Sequence, residues 1–440
     1  VTFRWPTAGR RGRRGRRGRA ARPLALLAAL LAAVPTISGC TAGDGPTPAS
    51  TTAVTTTPVS IAPVTPDGLV TGPGITDSTI TLGLLVDPQR DRGFSQGVNL
   101  WRDSVNASGG VCGRAVQIMT NGVAGVPADA PGAYDSVGRS TLGLMTLPAF
   151  ADSGTLTTQI SADQIPALTP TGTSAQLGQS RPIVVGATDD ILAINALDYL
   201  SQSGRLDEGT TFGVLTDRSP SATNALAGAR WWAGQNGITL DVRTLDSGGL
   251  DSGADLPDWA GVPVVLAFTD PQTTSRVAAG APSTTTVVTS TDGYDPAQWD
   301  AAGLSAARAG RVLVSLPTPA IGSDYPAAAV VTAAFAKAGG TDPGPRLLAG
   351  YATAAIWTRL LTQACADRAL TRTEIELAAT TTGPSSVESL FGPSDPALPI
   401  KSALPATRVS AMATANPDAP AGMTPLTWLE GASGIDSYQP

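Results

Sequence analysis

The sequence predicts an α/β protein of two doubly wound parallel-sheet lobes joined by crossover strands. Three observations predict it. From Gly74 onward, short β-rich apolar runs alternate with stretches of helical periodicity, the pattern of parallel sheets covered by helices. The same rhythm restarts near residue 182. The chain has 440 residues, 42% of them hydrophobic, which suits two or three compact bodies.

The elements follow in order. Thr79 to Val86 reads as a buried strand, and Phe94 to Ala107 as a helix with Val98, Trp101 and Val105 on one face. Strands are expected at Ala115–Met119, Leu142–Leu147 and Ile165–Leu168, with a helix from Ser153 to Ala162. Pro182 to Val185 reads as a strand crossing to a second lobe. That lobe holds helices at Asp190–Ser203 and Ser221–Asn236. Its strands are expected at Phe212–Leu215, Ile238–Leu245, Val264–Phe268, Thr285–Thr289 and Val312–Leu316. Residues 326–338 and 347–366 read as helices, and the Pro- and Ser-rich tail carries weak strand candidates at Thr407–Val409 and Leu426–Trp428. Open parallel sheets bind ligands beyond the carboxyl ends of their strands, so two such lobes form a cleft.

Composition removes several function classes. There is no His, hence no Ser-His-Asp triad, no Cys-His dyad and no His-based metal site. Lys337 and Lys401 are the only lysines, and neither sits in a Ser-x-x-Lys or Gly-Lys-Ser/Thr setting. An acid pair for glycoside chemistry is compatible with the composition, but no motif points to one. Neither catalysis nor a metal or cofactor is expected.

Charge is distributed unevenly. Residues 1–40 hold nine of the 29 basic side chains and no acid; the other 400 residues hold 20 basic against 35 acidic, a charge of −15. That part has no electrostatic footprint for nucleic acid. The basic stretch Arg10–Arg22 is followed by the apolar run Pro23–Val34, the order of a secretory signal peptide. The run is short for a membrane-spanning helix, which needs about 20 residues. It ends in Ile37-Ser38-Gly39-Cys40, which resembles the bacterial lipobox, whose Cys is diacylated and becomes the new N-terminus. The plainer alternative is an ordinary thiol behind an ordinary signal. Arg16-Arg17 leaves a twin-arginine route open. Residues 41–67 are dominated by Thr, Pro, Ala and Ser and read as an extended tether, a candidate for O-glycosylation. With Cys40 lipidated, Cys112 and Cys365 remain. Outside the cytoplasm such a pair suggests a disulfide; two separate buried thiols are the alternative.

A set of motifs carries a resemblance. Gly74-Ile75-Thr76-Asp77-Ser78-Thr79-Ile80-Thr81-Leu82-Gly83 opens the body. Asn106-Ala107-Ser108-Gly109-Gly110-Val111-Cys112-Gly113-Arg114 follows the first helix. Then come Ile165-Pro166-Ala167-Leu168-Thr169-Pro170-Thr171-Gly172-Thr173-Ser174, Thr289-Ser290-Thr291-Asp292-Gly293-Tyr294 and Gly350-Tyr351-Ala352 to Leu361. In this order, over roughly residues 74–365, they resemble the type I periplasmic binding proteins of the branched-chain amino acid-binding (Leu/Ile/Val-binding) family.

The resemblance implies a domain division and a site. Residues 1–39 would be the signal peptide and 40–73 the tether. Residues 74–181 plus 318–368 would form the first ligand-binding lobe, and 182–317 plus 369–440 the second lobe and tail. Thr171 and Thr173 would grip a ligand α-carboxylate, with Ser153 nearby, and Asp292 would pair with its α-amino group. Each has a bland rival: Thr171 and Thr173 as turn caps, Asp292 as a turn former, Ser153 as a helix N-cap. Asp217-Arg218 faces the cleft by topology or forms a surface ion pair. Trp101, Trp231 and Trp357 read as core. In the family the late helix returns to the first lobe, which would bring Cys365 near Cys112. The chain departs from the family at Ser219-Pro220-Ser221 and Thr269-Asp270-Pro271, where pocket aromatics or glycines are usual, and this puts an amino-acid ligand in doubt.

The function implied is a monomeric solute-binding lipoprotein on the extracytoplasmic face of the cell membrane. It would capture a small polar solute, an amino acid or related compound, and deliver it to an ABC transporter permease. A sensor or cell-envelope interaction lipoprotein on the same fold is the alternative.

Overall fold

The computed structural model describes residues 64–88, 90–122, 130–147, 154–179, 181–245, 256–381, 390–392, 403–429 and 431–439. The expected signal peptide, Cys40 and residues 41–63 of the expected tether lie outside these, as does Ser153. No helix of the described residues is long and apolar enough to cross a membrane.

Fourteen strands are described. They are β1 (Val70–Thr71), β2 (Thr79–Val86), β3 (Ala115–Gly122), β4 (Leu144–Thr146), β5 (Ala167–Thr169), β6 (Ile183–Val184) and β7 (Thr211–Thr216). They continue with β8 (Thr239–Thr244), β9 (Val264–Ala267), β10 (Thr286–Ser290), β11 (Val312–Leu316), β12 (Ala369–Leu370), β13 (Ser410–Ala415) and β14 (Met423–Leu429). The first large sheet has the order β3-β2-β4-β5-β6 and is parallel throughout. The second has the order β14-β13-β11-β10-β9-β7-β8. Its β7 to β11 are parallel and repeat the first sheet's winding, so each lobe reverses direction beside its first strand. Ligand crevices form at such switch points.

The second sheet is not all parallel, as the sequence suggested. β13 runs antiparallel to β11 and β14 antiparallel to β13. The first tail strand begins at Ser410, just after the expected Thr407–Val409. Four short helices escaped the sequence reading: Ala130–Val137, Pro271–Gly280, Ala301–Arg308 and Arg372–Thr381. Two of them carry a local start signal. Asp270 caps the second, accepting from Gln272 and Thr273 with Pro271 in the first turn, and Asp300 caps the third through Gly303.

Both faces of the second sheet are covered, which explains its near-continuous apolar strands. Val264, Leu266, Val288 and Leu313 point to one core, with helices Asp189–Gln202 and Pro220–Asn236. Their neighbours Val265, Ala267, Val287, Val312 and Val314 point to the other, with Val277, Ala306 and Ala307 of the two short helices. Ala432, Ile435 and Tyr438 of the chain end close the first of these cores.

The expected domain boundaries shift in three places. Ile183 and Val184 pair with Leu168 and Thr169, so the 182–185 strand is an edge of the first sheet. Leu370, Ile375, Ala378, Ala379, Leu390 and Phe391 are buried in the first core, so residues 369–381 and 390–391 belong with the first lobe. Part of the expected tether is also ordered. Leu69 is buried in the first core, and Val70–Thr71 pairs in parallel with Ala369–Leu370. The cause is the same in each case: these segments are too short or too polar to announce a partner, and the first lobe supplies one.

Two of the family-like motifs are structural joints. Asn106 clamps the start of β3, accepting from Val116 N–H at 2.7 Å and donating to its carbonyl at 2.9 Å. Gly109 and Gly110 follow the helix at φ 98° and 76°, a conformation that suits residues without Cβ. Arg114 is buried and donates to the Thr76 carbonyl at 2.9 Å, pinning the opening motif to β3.

Helices Arg92–Ala107 and Leu347–Ala366 pack with their backbones in contact. A Cβ on Gly97 would lie 2.1 Å from the Leu347 carbonyl oxygen, and one on Gly350 2.2 Å from that of Phe94. The helices start at the same end, with Gly93 against Gly344. At their other end Cys112, beyond the first helix, and Cys365, in the last turn of the second, stand 6.3 Å apart at Cα as a bridge, and Trp101 donates to Thr358 Oγ1 at 2.9 Å between the helices. Trp101 and Trp357 are core residues, whereas Trp231 is only partly buried and packs against Tyr438 with the rings tilted by 56° and 5.2 Å between centroids.

Gly97→Ala is expected to destabilise the fold by about 1–3 kcal/mol, because the helices must separate. Gly234→Ala, in a helix where an added Cβ would meet nothing within 4 Å, should be neutral or stabilising by roughly 0.5–1 kcal/mol. Urea denaturation of both variants checks the contrast.

Candidate functional site

The carboxyl ends of both sheets face one interface, and the loops that follow their strands meet there. From the first lobe comes the turn after β2. Asp87 Oδ1 accepts from Arg90 N–H at 3.0 Å, and Asp91 Oδ2 accepts from Asp87 N–H at 3.0 Å. From the second lobe comes Thr291-Asp292-Gly293-Tyr294 after β10. Gly293 is dictated by space, since a Cβ there would meet Thr289 Oγ1 at 2.1 Å and the Thr269 carbonyl at 2.8 Å. Its own carbonyl accepts from Trp299 Nε1 at 3.0 Å.

Arg346 joins the two lobes. It precedes the Leu347–Ala366 helix, and the stretch leading to it is stitched to the Arg92–Ala107 helix. Gln96 accepts from Gly344 N–H at 2.9 Å and donates to the Asp342 carbonyl at 2.9 Å. The guanidinium is buried, at 6% exposure. Its Nη1 donates to Asp91 Oδ1 in a short ion pair within the first lobe. Its Nη2 crosses to the second lobe, donating to the Thr291 carbonyl at 2.6 Å and Asp292 Oδ1 at 2.8 Å. Arg90 Nη2 adds a bond to the Asp292 carbonyl at 3.2 Å.

The electrostatics follow from burial and proximity. Burial works against the charged guanidinium of Arg346, but the carboxylates of Asp292, Asp91 and Asp295 outweigh it and hold it above its usual range. Burial pushes the Asp91 carboxyl up, and the Arg346 and Arg90 cations offset this only in part. Tyr294 is pushed above the phenol range, chiefly by burial and then by Asp295. Its hydroxyl donates to the Gly422 carbonyl at 2.7 Å.

The sequence-derived site residues are not gathered in one pocket. Asp292 is at the interface. Thr171 is buried after β5 and donates its hydroxyl to the Ala187 carbonyl at 2.8 Å, on the crossover from β6. Thr173 N–H donates to Gln176 Oε1 at 3.0 Å. In this conformation Thr171 serves the joint between the lobes, and Thr173 caps the Ser174–Gln176 turn in a capping box. Beside them Ser174 bonds to Asp190, whose Oδ2 also accepts from Tyr438 at 2.7 Å, and Ser174 N–H donates to Asn224 at 3.2 Å. Ser153 lies outside the described residues. Asp217 accepts from Ser219 N–H at 2.9 Å in its own turn, and Arg218 is exposed at φ 63°.

Asp91, Arg90 and Arg346 escaped the sequence reading. Arg346 lies 255 residues from Asp91, and no local pattern marks the pair. Gly93-Phe94-Ser95-Gln96-Gly97 spells the letters of a nucleophile elbow. It lies inside a helix rather than on a strand-to-helix turn, its glycines serve packing, and the chain has no His.

Beside Arg346 the free space is only about 10 Å³, lined by Arg90, Gly93, Tyr294, Asp295 and Pro345. A larger space of about 400 Å³ lies at the rim, between the 319–325 crossover and the ends of β13 and β14. Tyr325 and Trp428 stack across it at 5.2 Å.

Two sheets wound alike, joined by crossovers and facing each other by their carboxyl ends, define a two-lobed binding protein. A family model described as periplasmic binding protein matches residues 88–397, and the chain belongs to that family. Solved structures agree on the type I fold. A fatty acid ABC transporter substrate-binding protein from Thermomonospora curvata superposes with TM-score 0.74 at 23% identity, covering 86% of this chain and 98% of that one. A branched chain amino acid ABC transporter protein from Thermus thermophilus with bound valine gives 0.62 at 15% identity, covering 83% and 100%. A possible leucine/isoleucine/valine-binding protein from Rhodopirellula baltica gives 0.65 at 12% identity, covering 80% and 97%. No curated protein matches the sequence.

Arg346→Met is expected to cost about 3–5 kcal/mol, because Asp91 is left buried without its cation. Asp292→Asn should cost less, since the Asp292 side chain is 19% exposed and reaches water. Chemical denaturation near neutral pH ranks the two.

Proposed function

We propose that the chain is an extracytoplasmic solute-binding lipoprotein, anchored through Cys40, that closes its lobes on a small solute and presents it to an ABC transporter permease. The observation that carries this reading is the interface itself. Each lobe ends its parallel sheet there, and Arg346 and Asp292 bring the two ends into contact. Such a contact reports lobe closure, the motion by which two-lobed receptors enclose ligands. Two of the similar proteins are named for fatty acid and for bound valine, which share a carboxylate. A small carboxylate-bearing solute is therefore the class favoured, with an amino acid as one member. Ser153, Thr171, Thr173 and Asp292 remain its proposed contacts, the threonines becoming available as the lobes open.

The same interface gives a second reading a foothold. Beside Arg346 the lobes meet through their own side chains with little space, as suits a sensor or interaction lipoprotein that needs no cargo. A thermal-shift screen of amino acids, carboxylic acids, amides, sugars and polyamines separates the two. A solute at 100 times its Kd, binding only the folded state, adds about 2.7 kcal/mol and raises Tm visibly. A hit that also alters the small-angle scattering profile supports solute capture. A well-folded protein that responds to no solute favours the partner-binding reading.

Outside the cytoplasm the Cys112–Cys365 pair would be an oxidised bridge across a sequence separation of 253 residues. Its loss in Cys112→Ser/Cys365→Ser is expected to cost about 2–5 kcal/mol, seen as a lower denaturation midpoint that reductant no longer changes.

A further inference from the structure

The acid expected to meet a solute cation already has a cation, and the chain supplies it. Arg346 reaches Asp292 Oδ1 at 2.8 Å and the adjoining Thr291 carbonyl at 2.6 Å. Three features make this occupancy persistent. The guanidinium is tethered, because its backbone is fixed where Gly93 meets Gly344 and Gly97 meets Leu347. It is oriented, because the buried Asp91 holds its other amino group. It is buried, with only about 10 Å³ of free space beside it, far less than an alkylammonium group needs. A free cation must compete with a tethered one at high effective concentration. It must also strip a buried guanidinium of its Asp292 partner, which is costly.

We propose that Arg346 is a built-in substitute for a solute cation, so that the cleft rejects solutes recognised through a positive group and selects uncharged or anionic ones. This rests on the solute-binding reading above and narrows its carboxylate class to acids without a free α-amino group. Arg346 then determines specificity, and the same bonds latch the lobes.

The test uses the full-length wild-type protein, Arg346→Ala, Asp292→Asn and the Arg346→Ala/Asp292→Asn double variant. The probes are methylguanidinium and butylammonium at low millimolar concentration, read by calorimetry and small-angle scattering. The expected result is that wild type binds neither probe. Arg346→Ala has a larger radius of gyration, binds methylguanidinium saturably and returns toward the wild-type radius. The double variant binds it at least about tenfold more weakly. Asp292→Asn keeps the shape of the side chain and carries the test should Arg346→Ala not fold: its radius is expected to rise above wild type. The proposal is overturned by wild type binding butylammonium, or an amino acid, in a manner lost in Asp292→Asn. It is equally overturned by a radius of gyration unchanged in both single variants. These outcomes differ from failure of the solute-binding reading. In that case no solute binds wild type in the wider screen, while methylguanidinium still restores Arg346→Ala.

Discussion

The backbone contact between helices Arg92–Ala107 and Leu347–Ala366 is the constraint on which the site depends. Gly97 and Gly350 let the two main chains approach to a distance that no Cβ would permit. The contact binds a late segment of the chain to the first lobe. It sets Gly344 against Gly93 at one end, which places Arg346 beside Asp91. At the other it brings Cys365 to Cys112. A charged side chain can be buried at low cost only where its partners are held in register. Here the register comes from glycine packing, not from the ion pair.

The two lobes repeat one winding, and the repetition creates the interface. In each, the first strand lies between the second and third, so the loops at the carboxyl ends diverge at the same place. The crossovers from β6 and β11 then turn these ends toward each other. The second lobe departs by adding β13 and β14 antiparallel, beyond the 403–409 return. Its chain end is held by Asn195, which accepts from Ala432 N–H at 2.9 Å and donates to Ser410 Oγ at 3.0 Å. Through Tyr438 the same end reaches Asp190, next to the Thr171–Thr173 segment. The chain end is thus part of the joint about which the lobes would move.

At the interface the opposing charges are nearly all internal. Asp87, Asp91 and Asp295 accept backbone or side-chain bonds from their own turns, and Arg346 spans both lobes. Buried ionic groups contribute little net stability when compared with apolar ones, and their better-attested role is specificity. A bond that exists only when the lobes touch also has a conformational meaning. It biases the equilibrium toward closure by as much as it differs between the two states.

The sequence by itself determined the α/β alternation, the buried strands and the family-like joints. Those signals are local: apolar periodicity in Thr79–Val86, the Gly109-Gly110 helix end and the short motif that runs from Asn106 to Arg114. It also marked Asp292, through the family-like motif Thr289–Tyr294. Only the tertiary structure decided what Asp292 faces. Arg346 lies 54 residues downstream of it and 255 from Asp91, and no pattern of spacing encodes a pair closed across two lobes. The same holds for Thr171, whose hydroxyl looks free beside a strand end until the crossover brings the Ala187 carbonyl to it. Local propensity acts over a few residues. Whether a polar group meets solvent, solute or its own chain is settled by which distant segments fold onto it.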